Sequence, residues 1–73
     1  MNTISMLHSL SRREKEIALK VIDGLSNKAI ANELYISERT VKFHCANIYK
    51  KLNIHNRTSL IANYYRDRYK EAA

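Results

Sequence analysis

Residues 25–52 read LSNKAIANELYISERTVKFHCANIYKKL and contain two short helical patterns on either side of a tight turn. In the second pattern, four apolar residues recur at steps of four, three and four: Val41, Cys45, Ile48 and Leu52. At about 100° per residue, this spacing puts all four side chains on one narrow stripe of a helix. The pattern therefore predicts a helix from about Glu38 to Leu52, capped by Ser37, whose apolar stripe faces a core.

The opposite side of this helix carries cations. Four residues recur at the same steps on that side: Arg39, Phe43, Ala46 and Lys50. Lys42 and Asn47 lie beside them. Glu38 is the only acid from Ser37 through Arg57, a segment that also holds five cations. Because a solvated helix face usually carries both signs of charge, the pattern favours a surface that binds an anion. A basic face that contacts only solvent remains the alternative on charge alone.

The upstream pattern predicts a second helix and completes a helix-turn-helix. Ser26 is a good N-cap, Ile30 and Leu34 are four residues apart, and Ala31 is small enough to let the next helix approach closely. Two residues, starting at Ile36, then turn the chain. In a helix-turn-helix the first helix lies across DNA phosphates, and the second offers side chains to base edges. The motif therefore favours DNA as the anion.

The chain before this motif predicts one further helix. Ser11 and Glu14 have the spacing of a capping box. The core face of the helix that follows is formed by Ile17, Val21 and Ile22. Gly24, the only glycine, lies just past this pattern and suits a left-handed helix end.

The chain after the motif predicts a fourth helix. Asn53 can end the recognition helix, Ile54 can anchor the turn, and Asn56 can cap a helix running to about Lys70. There is no proline and no strand-like alternation, so the fold class is all-α. We expect an N-terminal arm at 1–9 and a DNA-binding domain with a C-terminal dimerisation helix at 10–73.

Length and charge limit the possible classes of protein. A chain of 73 residues allows one domain with a small core. The net charge of +6 favours a polyanionic partner, and the excess lies late in the chain, since 1–36 hold five cations and four acids. A membrane surface is the other common partner of a basic helix, but the core uses the apolar stripe, so no membrane partner is expected.

Several functions are not expected. The single cysteine, Cys45, lies on the apolar stripe and is expected to be buried, and no internal disulfide can form. The histidines His8, His44 and His55 lack the spacing of metal ligands, so we expect no metal, no cofactor and no small-molecule ligand in this chain. One glycine leaves no phosphate-binding loop, and caps or exposed helix faces explain the acids, so an enzyme is not expected. Residues 1–9 lack export features, which predicts a cytoplasmic protein.

A set of spaced residues from Leu10 to about Ile61 adds a family resemblance. The set comprises Leu10–Ile17, Gly24–Lys28, Ile30, Ala31, Leu34, Ile36, Ser37, Thr40–Lys42, His44, Ile48, Lys51, Leu52 and Arg57. It resembles the C-terminal DNA-binding domain of the LuxR/GerE/FixJ regulators. The resemblance implies a four-helix domain, of bacterial or phage origin, that binds a two-fold symmetric operator as a dimer.

The chain departs from the family pattern at two places. Ala29 stands where the family usually has an acid, so the helix that begins after Ser26 lacks the second half of a capping box. Leu60 and Tyr64 stand where the family tends to use small residues in its last helix. We therefore expect the dimer contact, formed here by Leu60, Tyr64 and Tyr65, to differ in geometry.

The resemblance and the helix faces together predict two sets of DNA contacts. The residues expected to contact bases are Arg39, Lys42, Phe43, Ala46 and Asn47. Those expected to contact phosphates are Asn27, Lys28, Thr40, Lys50 and Lys51. An Arg or Lys side chain can donate to guanine O6 and N7, whereas Phe43 can only make an apolar contact such as one with a thymine methyl. Arg57 is expected either to join the phosphate contacts or to pack.

Two functions from different classes fit these residues. The first is a transcription regulator that binds double-stranded DNA as a homodimer. The second is an interaction protein that pairs with a larger LuxR-type regulator through its Tyr-rich last helix and blocks DNA binding by that regulator. The basic recognition face favours the first. A third possibility is that the chain is the excised output domain of a larger regulator, and its DNA-binding chemistry would then be the same.

Overall fold

The computed structural model describes residues 3–72, which form five α-helices with no strand among them. The helices are α1 (Thr3–Met6), α2 (Arg12–Ile22), α3 (Asn27–Leu34), α4 (Glu38–Lys51) and α5 (Arg57–Ala72), with a 3-10 turn at Leu7–Ser9 after α1. The all-α prediction is confirmed, and α2 to α5 are the four expected helices. Helices α3 and α4, with residues 35–37 between them, form the helix-turn-helix.

Each helix from α2 to α5 begins with a capping side chain. Ser11 and Glu14 form a complete capping box, in which the Glu14 N–H donates to Ser11 Oγ at 3.2 Å and the Ser11 N–H donates to Glu14 Oε1 at 2.9 Å. The other caps each accept one backbone N–H at 2.8–3.1 Å: Ser26, Ser37 and Asn56. All four predicted caps are confirmed, and α3 has the single-sided cap expected from Ala29.

Helices α2, α3 and α4 all end at a residue in the left-handed conformation. These residues are Gly24 (φ 92°), Tyr35 (φ 57°) and Asn53 (φ 56°). In each case the next residue donates its N–H to the carbonyl five residues back, at 2.9–3.1 Å. This bond turns an apolar side chain back against the core, at Leu25, Ile36 and Ile54 respectively. The roles of Gly24 and Asn53 are confirmed, whereas Tyr35 was not predicted because aromatic residues rarely adopt a positive φ.

The core lies where α2, α3, α4 and α5 meet. The four residues of the α4 stripe are 0–5% exposed, so the predicted core face is confirmed, and Cys45 is a buried free thiol within it. The predicted core face of α2 is also buried. Ile30 from α3 and Leu60 from α5 complete the centre at 0% exposure. Burial of one such side chain stabilises the fold by about 1.5–3 kcal/mol, which fixes the orientation of α4.

The N-terminal segment differs from the expected arm. Residues 1–2 lie outside the described part of the chain, but 3–9 form α1 and the 3-10 turn rather than a separate arm. Leu7 is 5% exposed and belongs to the core, and α1 packs along α5. The physical reason is that Leu7 and Leu10 are three residues apart, and the Leu10 N–H donates to the Leu7 carbonyl at 3.2 Å. Residues 3–9 thus pack with the other described helices.

Candidate nucleic-acid interface

The side of α4 opposite its buried stripe is basic and open to solvent. Its exposed residues are Arg39, Lys42, Phe43, Ala46 and Lys50, and Asn47 beside them is half-buried. Phe43 is 65% exposed although it is apolar, and its ring meets that of His44 edge-on at 5.8 Å. A helix with its side chains is about 10–12 Å across, and the major groove of B-DNA is about 12 Å wide. This exposed face of α4, hereafter the reading face, thus has the size and charge to enter a major groove.

Ion pairs elsewhere leave the positive charge concentrated on the reading face. Three pairs involve α2: Arg13 with Glu16 at 3.1 Å, Lys20 with Glu33 at 2.8 Å, and Lys51 with Glu14 at 2.7 Å. In the described part of the chain, no ion pair involves the cations of the reading face. Glu14, Glu16 and Glu33 therefore pair with cations outside the reading face.

Lys51 is exposed to solvent, but its ammonium is bound by an acid. Its Nζ lies 2.7 Å from Glu14 Oε1, and the Glu14 side chain is only 8% exposed. Hydrogen bonds from the Lys51 side chain and from the Ser11 backbone hold the pKa of Glu14 below its ordinary value. This contact, which joins residues 37 positions apart, fastens the end of α4 to the start of α2. No local sequence pattern pairs the two residues, so the contact was not predicted.

Apart from Lys50 in the last turn of α4, the other expected phosphate-binding residues lie around the start of α3 and of α4. Lys28 is exposed in the first turn of α3, and Asn27 beside it is half-buried. Asn27 Oδ1 is fully buried and has no hydrogen-bond partner. Thr40 is half-buried, and its Oγ1 lies 2.9 Å from Ser37 Oγ in a hydrogen bond that supports the cap of α4. Lys28 and Lys50 are thus the most accessible of these side chains.

Arg57 ties the start of α5 to the turn between α2 and α3. Its guanidinium donates to the backbone carbonyl of Leu25, 32 residues earlier in the chain. Sequence analysis left open whether Arg57 packs or contacts phosphate. The structure gives it a packing role, and further N–H groups of the guanidinium remain for a second acceptor.

A cleft of about 290 Å³ opens between the start of α3, the middle of α4 and the turn before α5. Its lining residues are Asn27, Lys42, Cys45, Ala46, Tyr49, His55, Asn56 and Arg57. Burial raises the pKa of the Cys45 thiol, partly opposed by a hydrogen bond with Tyr49, and burial raises the pKa of Tyr49 to about 12. Neither group ionises near neutral pH, so the cleft does not hold an activated nucleophile.

The expected dimer residues on α5 do not share one surface. Leu60 is 0% exposed and lies in the core, which corrects its assignment to a dimer interface, because a fully buried side chain offers no surface to a second subunit. Tyr64 is half-buried against the core, and its hydroxyl accepts a hydrogen bond from Arg68 at 3.0 Å. Tyr65 is 53% exposed and meets the Tyr64 ring edge-on at 5.4 Å, and Tyr69 is 78% exposed. The accessible aromatic surface of α5 is therefore that of Tyr65 and Tyr69.

Comparison with known proteins assigns the family. The model of the luxR family of bacterial regulatory proteins (GerE) matches residues 8–63. The transcriptional regulatory protein DegU of Brevibacillus brevis is 49% identical over 55 residues, which cover 75% of this chain and 23% of DegU. The nitrate/nitrite response regulator protein homolog of Haemophilus influenzae is 49% identical over 53 residues, which cover 73% of this chain and 26% of that protein.

A solved structure has the same fold. The response regulator ChrA of a heme-sensing two-component system matches with a TM-score of 0.72 and 47% identity, over 81% of this chain and 29% of ChrA. The chain belongs to the luxR family of bacterial regulatory proteins, which is a family of transcription regulators and not of enzymes. It spans about a quarter of the length of the curated relatives.

Among residues 3–72 there is no cluster of three or more side chains suited to hold a metal ion. No helix in the same residues combines the length and apolar composition needed to cross a bilayer.

Proposed function

We propose that this domain regulates transcription by binding double-stranded DNA sequence-specifically, with α4 in the major groove. The observation that carries the proposal is the division of α4 into a buried apolar stripe and an exposed basic face whose cations form no ion pair within residues 3–72. A purely solvated helix face does not need an exposed Phe43 among its cations. The family and its transcription-regulator relatives support the same function. Bacterial DNA lies in the cytoplasm, so that location is part of the proposal.

Base recognition would come from the middle of the reading face. Lys42 and Arg39 can donate to guanine O6 and N7, and Phe43 can contact a thymine methyl. Ala46 is small enough to let the helix approach the bases closely. Asn47 is half-buried and would contribute less.

Phosphate contacts would come mainly from Lys28 and Lys50, which are the exposed cations at the two ends of the motif. Asn27 and Thr40 are proposed as weaker contacts, because both are half-buried. Lys51 was expected in this group, but its ammonium is engaged by Glu14, and we propose that it orients α4 instead.

Pairing of two copies is a further part of the proposal. Tyr65 and Tyr69 expose aromatic rings with polar tips, a residue type that is enriched at protein interfaces. A homodimer with two-fold symmetry would set its two α4 helices about 34 Å apart, one turn of DNA. The same tyrosines favour a second candidate function, in which the domain pairs with a larger LuxR-type regulator and blocks its DNA binding.

Selection of bound duplexes from a random-sequence pool tests the function. We expect one enriched site with two related half-sites, and a specific affinity at least about 10³-fold above that for shuffled DNA. A chain that binds no duplex even at low salt, but associates with a LuxR-type regulator, would support the second candidate instead.

Sedimentation of the double variant Tyr65→Ser, Tyr69→Ser tests the pairing surface. Both side chains are exposed, so we expect the variant to fold and to lose the dimer. The matched control is Tyr35→Ser, since Tyr35 is 94% exposed but lies away from α5 in the α3–α4 turn. Loss of the dimer in both variants, or in neither, would assign pairing to another surface.

A further inference from the structure

We propose that the cleft beside α4 binds one phosphate of the DNA backbone, held by Arg57, His55 and Asn27. This inference rests on the proposed DNA binding and adds a site and two ligands, Arg57 and His55, to it. The cleft brings together residues from the start of α3, the middle of α4 and the turn before α5. None of its lining side chains is a carboxylate, whereas two are cations and one is an imidazole. Its charge therefore suits an anion.

The cleft is continuous with the reading face. Lys42 and Ala46 belong to both, because they line one wall of the cleft and are exposed on α4. A helix in the major groove nearly fills its width, so the two phosphate backbones pass along either flank of the helix. The DNA strand whose backbone runs along the side of α4 nearest α3 would pass over the opening of the cleft.

Arg57 is already oriented for this contact. Its bond to the Leu25 carbonyl fixes the guanidinium at the cleft wall and uses only part of its five N–H donors. A guanidinium held in advance loses little conformational freedom when it binds a phosphate, and its planar fork matches phosphate oxygens. The packing role and a phosphate contact are thus compatible in one side chain.

Asn27 contributes an amide whose hydrogen bonding is incomplete in the free protein. Its Oδ1 is fully buried without a partner, and buried polar groups are normally satisfied. The NH2 group of the same amide is a hydrogen-bond donor that a phosphate oxygen can accept from. His55 is exposed on the other wall, and its ring presents an N–H donor in either protonation state.

The size and lining of the cleft favour a sugar-phosphate unit. At about 290 Å³ it lies at the lower limit of ordinary small-molecule pockets. Its lining combines Cys45, Ala46 and the ring of Tyr49 with the donors of Asn27, His55 and Arg57. A deoxyribose can pack against the first group while its phosphate accepts hydrogen bonds from the second.

A methylphosphonate scan of the selected operator tests the proposal. Each duplex replaces one charged phosphate by a neutral one, and its Kd is measured for the wild-type chain, His55→Ala, Arg57→Gln and Lys70→Gln. We expect one position per half-site at which the wild type loses about tenfold in affinity. At that position His55→Ala and Arg57→Gln should lose less than about threefold, because they already lack part of the contact. Lys70→Gln removes a cation outside the cleft and should show the full tenfold loss.

Three outcomes separate the hypotheses. No duplex bound by the wild type would overturn the proposed function itself. If the proteins bind DNA, but each methylphosphonate causes the same loss of affinity in all four of them, the proposed function stands and the cleft site is overturned. If Arg57→Gln fails to fold by circular dichroism, His55→Ala decides alone, since His55 is exposed in a turn. A saturable shift of cleft amide resonances with inorganic phosphate alone, at concentrations below about millimolar, would assign the cleft to a free anion and overturn the backbone assignment.

Discussion

Ile48 and Phe43 are two large apolar residues on the same helix in opposite surroundings. Ile48 is 0% exposed at the centre of the core, and Phe43 is 65% exposed among the cations of the reading face. Exposing an apolar ring to water does not stabilise the free domain, and we propose that the ring contacts DNA. One helix therefore carries one set of residues that builds the core and a separate exposed set, which we propose binds DNA.

Lys50 and Lys51 show that the boundary between the two sets is not set by residue type. Both end α4 and both are exposed, but the ammonium of Lys51 is bound to the nearly buried carboxylate of Glu14. A cation at the edge of the reading face therefore belongs either to the DNA surface or to the packing of α4 on α2.

The largest expected effect is a difference in stability between a substitution on the buried face of α4 and one on its exposed face. We expect Ile48→Ala to lower the free energy of unfolding by about 2–5 kcal/mol, because it leaves a cavity in the core. Phe43→Ala should change it by less than about 1 kcal/mol, because the ring is mostly exposed. Urea denaturation measures both, and DNA affinity at equal folded fraction should fall only for Phe43→Ala. Similar losses of stability in the two variants would show that the buried and exposed faces of α4 do not have separate roles.

Within the reading face, Lys42 should differ from a phosphate contact. We expect Lys42→Ala to reduce specific affinity by about 1–3 kcal/mol and to relax the preference at one base position per half-site. Lys28→Ala should weaken binding to all sequences alike, since a phosphate contact carries no sequence information. An equal loss on operator and shuffled DNA for Lys42→Ala would remove Lys42 from base recognition.

Substitutions of the two adjacent lysines should affect different properties, namely stability for Lys51 and the salt dependence of DNA binding for Lys50. We expect Lys51→Met to lower stability by up to about 1 kcal/mol, since the pair is half-exposed on the lysine side, and to leave the salt dependence of DNA binding unchanged. Lys50→Met should leave stability unchanged and reduce the slope of log Kobs against log salt by about one per subunit. The reverse assignment of effects would mean that Lys51 leaves Glu14 to contact DNA.

Lowering the pH should remove the stability that the contact between Lys51 and Glu14 contributes. Glu14 has a pKa below its ordinary value of 4.5 in the folded protein, so as pH falls the unfolded chain takes up the proton first. Its contribution to stability is complete above about pH 5 and is lost as pH falls through the folded pKa. We expect the wild type to lose more stability between pH 5 and 3 than Glu14→Gln, measured by urea denaturation. Parallel curves for the two proteins would remove Glu14 from the acid sensitivity.

The sequence predicted best the features that depend on nearby residues. The caps, the left-handed ends at Gly24 and Asn53, and the stripe of α4 each follow from side chains within a few positions. The contacts of Lys51 with Glu14 and of Arg57 with Leu25 join residues 37 and 32 positions apart, so only the packed fold reveals them. The first contact changes the interpretation of Lys51, and the second gives Arg57 a packing role that the sequence had left open.

Helix α5 was the least predictable part of the candidate site. Leu60 was expected at a dimer surface because it stands where relatives use small residues, yet it fills the core at 0% exposure. Periodicity identifies an apolar position but not the neighbour that covers it. A side chain that reaches the core and one that reaches a second subunit therefore look alike in the sequence.

The smallest expected effect concerns the turn that orients the reading face. Tyr35 adopts φ 57° and is 94% exposed, so its side chain gains little from packing while its backbone is in a conformation that costs a bulky residue more than an asparagine. We expect Tyr35→Asn to raise the free energy of unfolding by about 0.5–1 kcal/mol without moving α4, because Asn tolerates the same φ. Tyr35→Val is the matched control and should lower stability, because a β-branched residue disfavours this conformation more strongly. DNA affinity should be unchanged in Tyr35→Asn, and a loss of affinity with unchanged or increased stability would instead make Tyr35 part of the DNA surface.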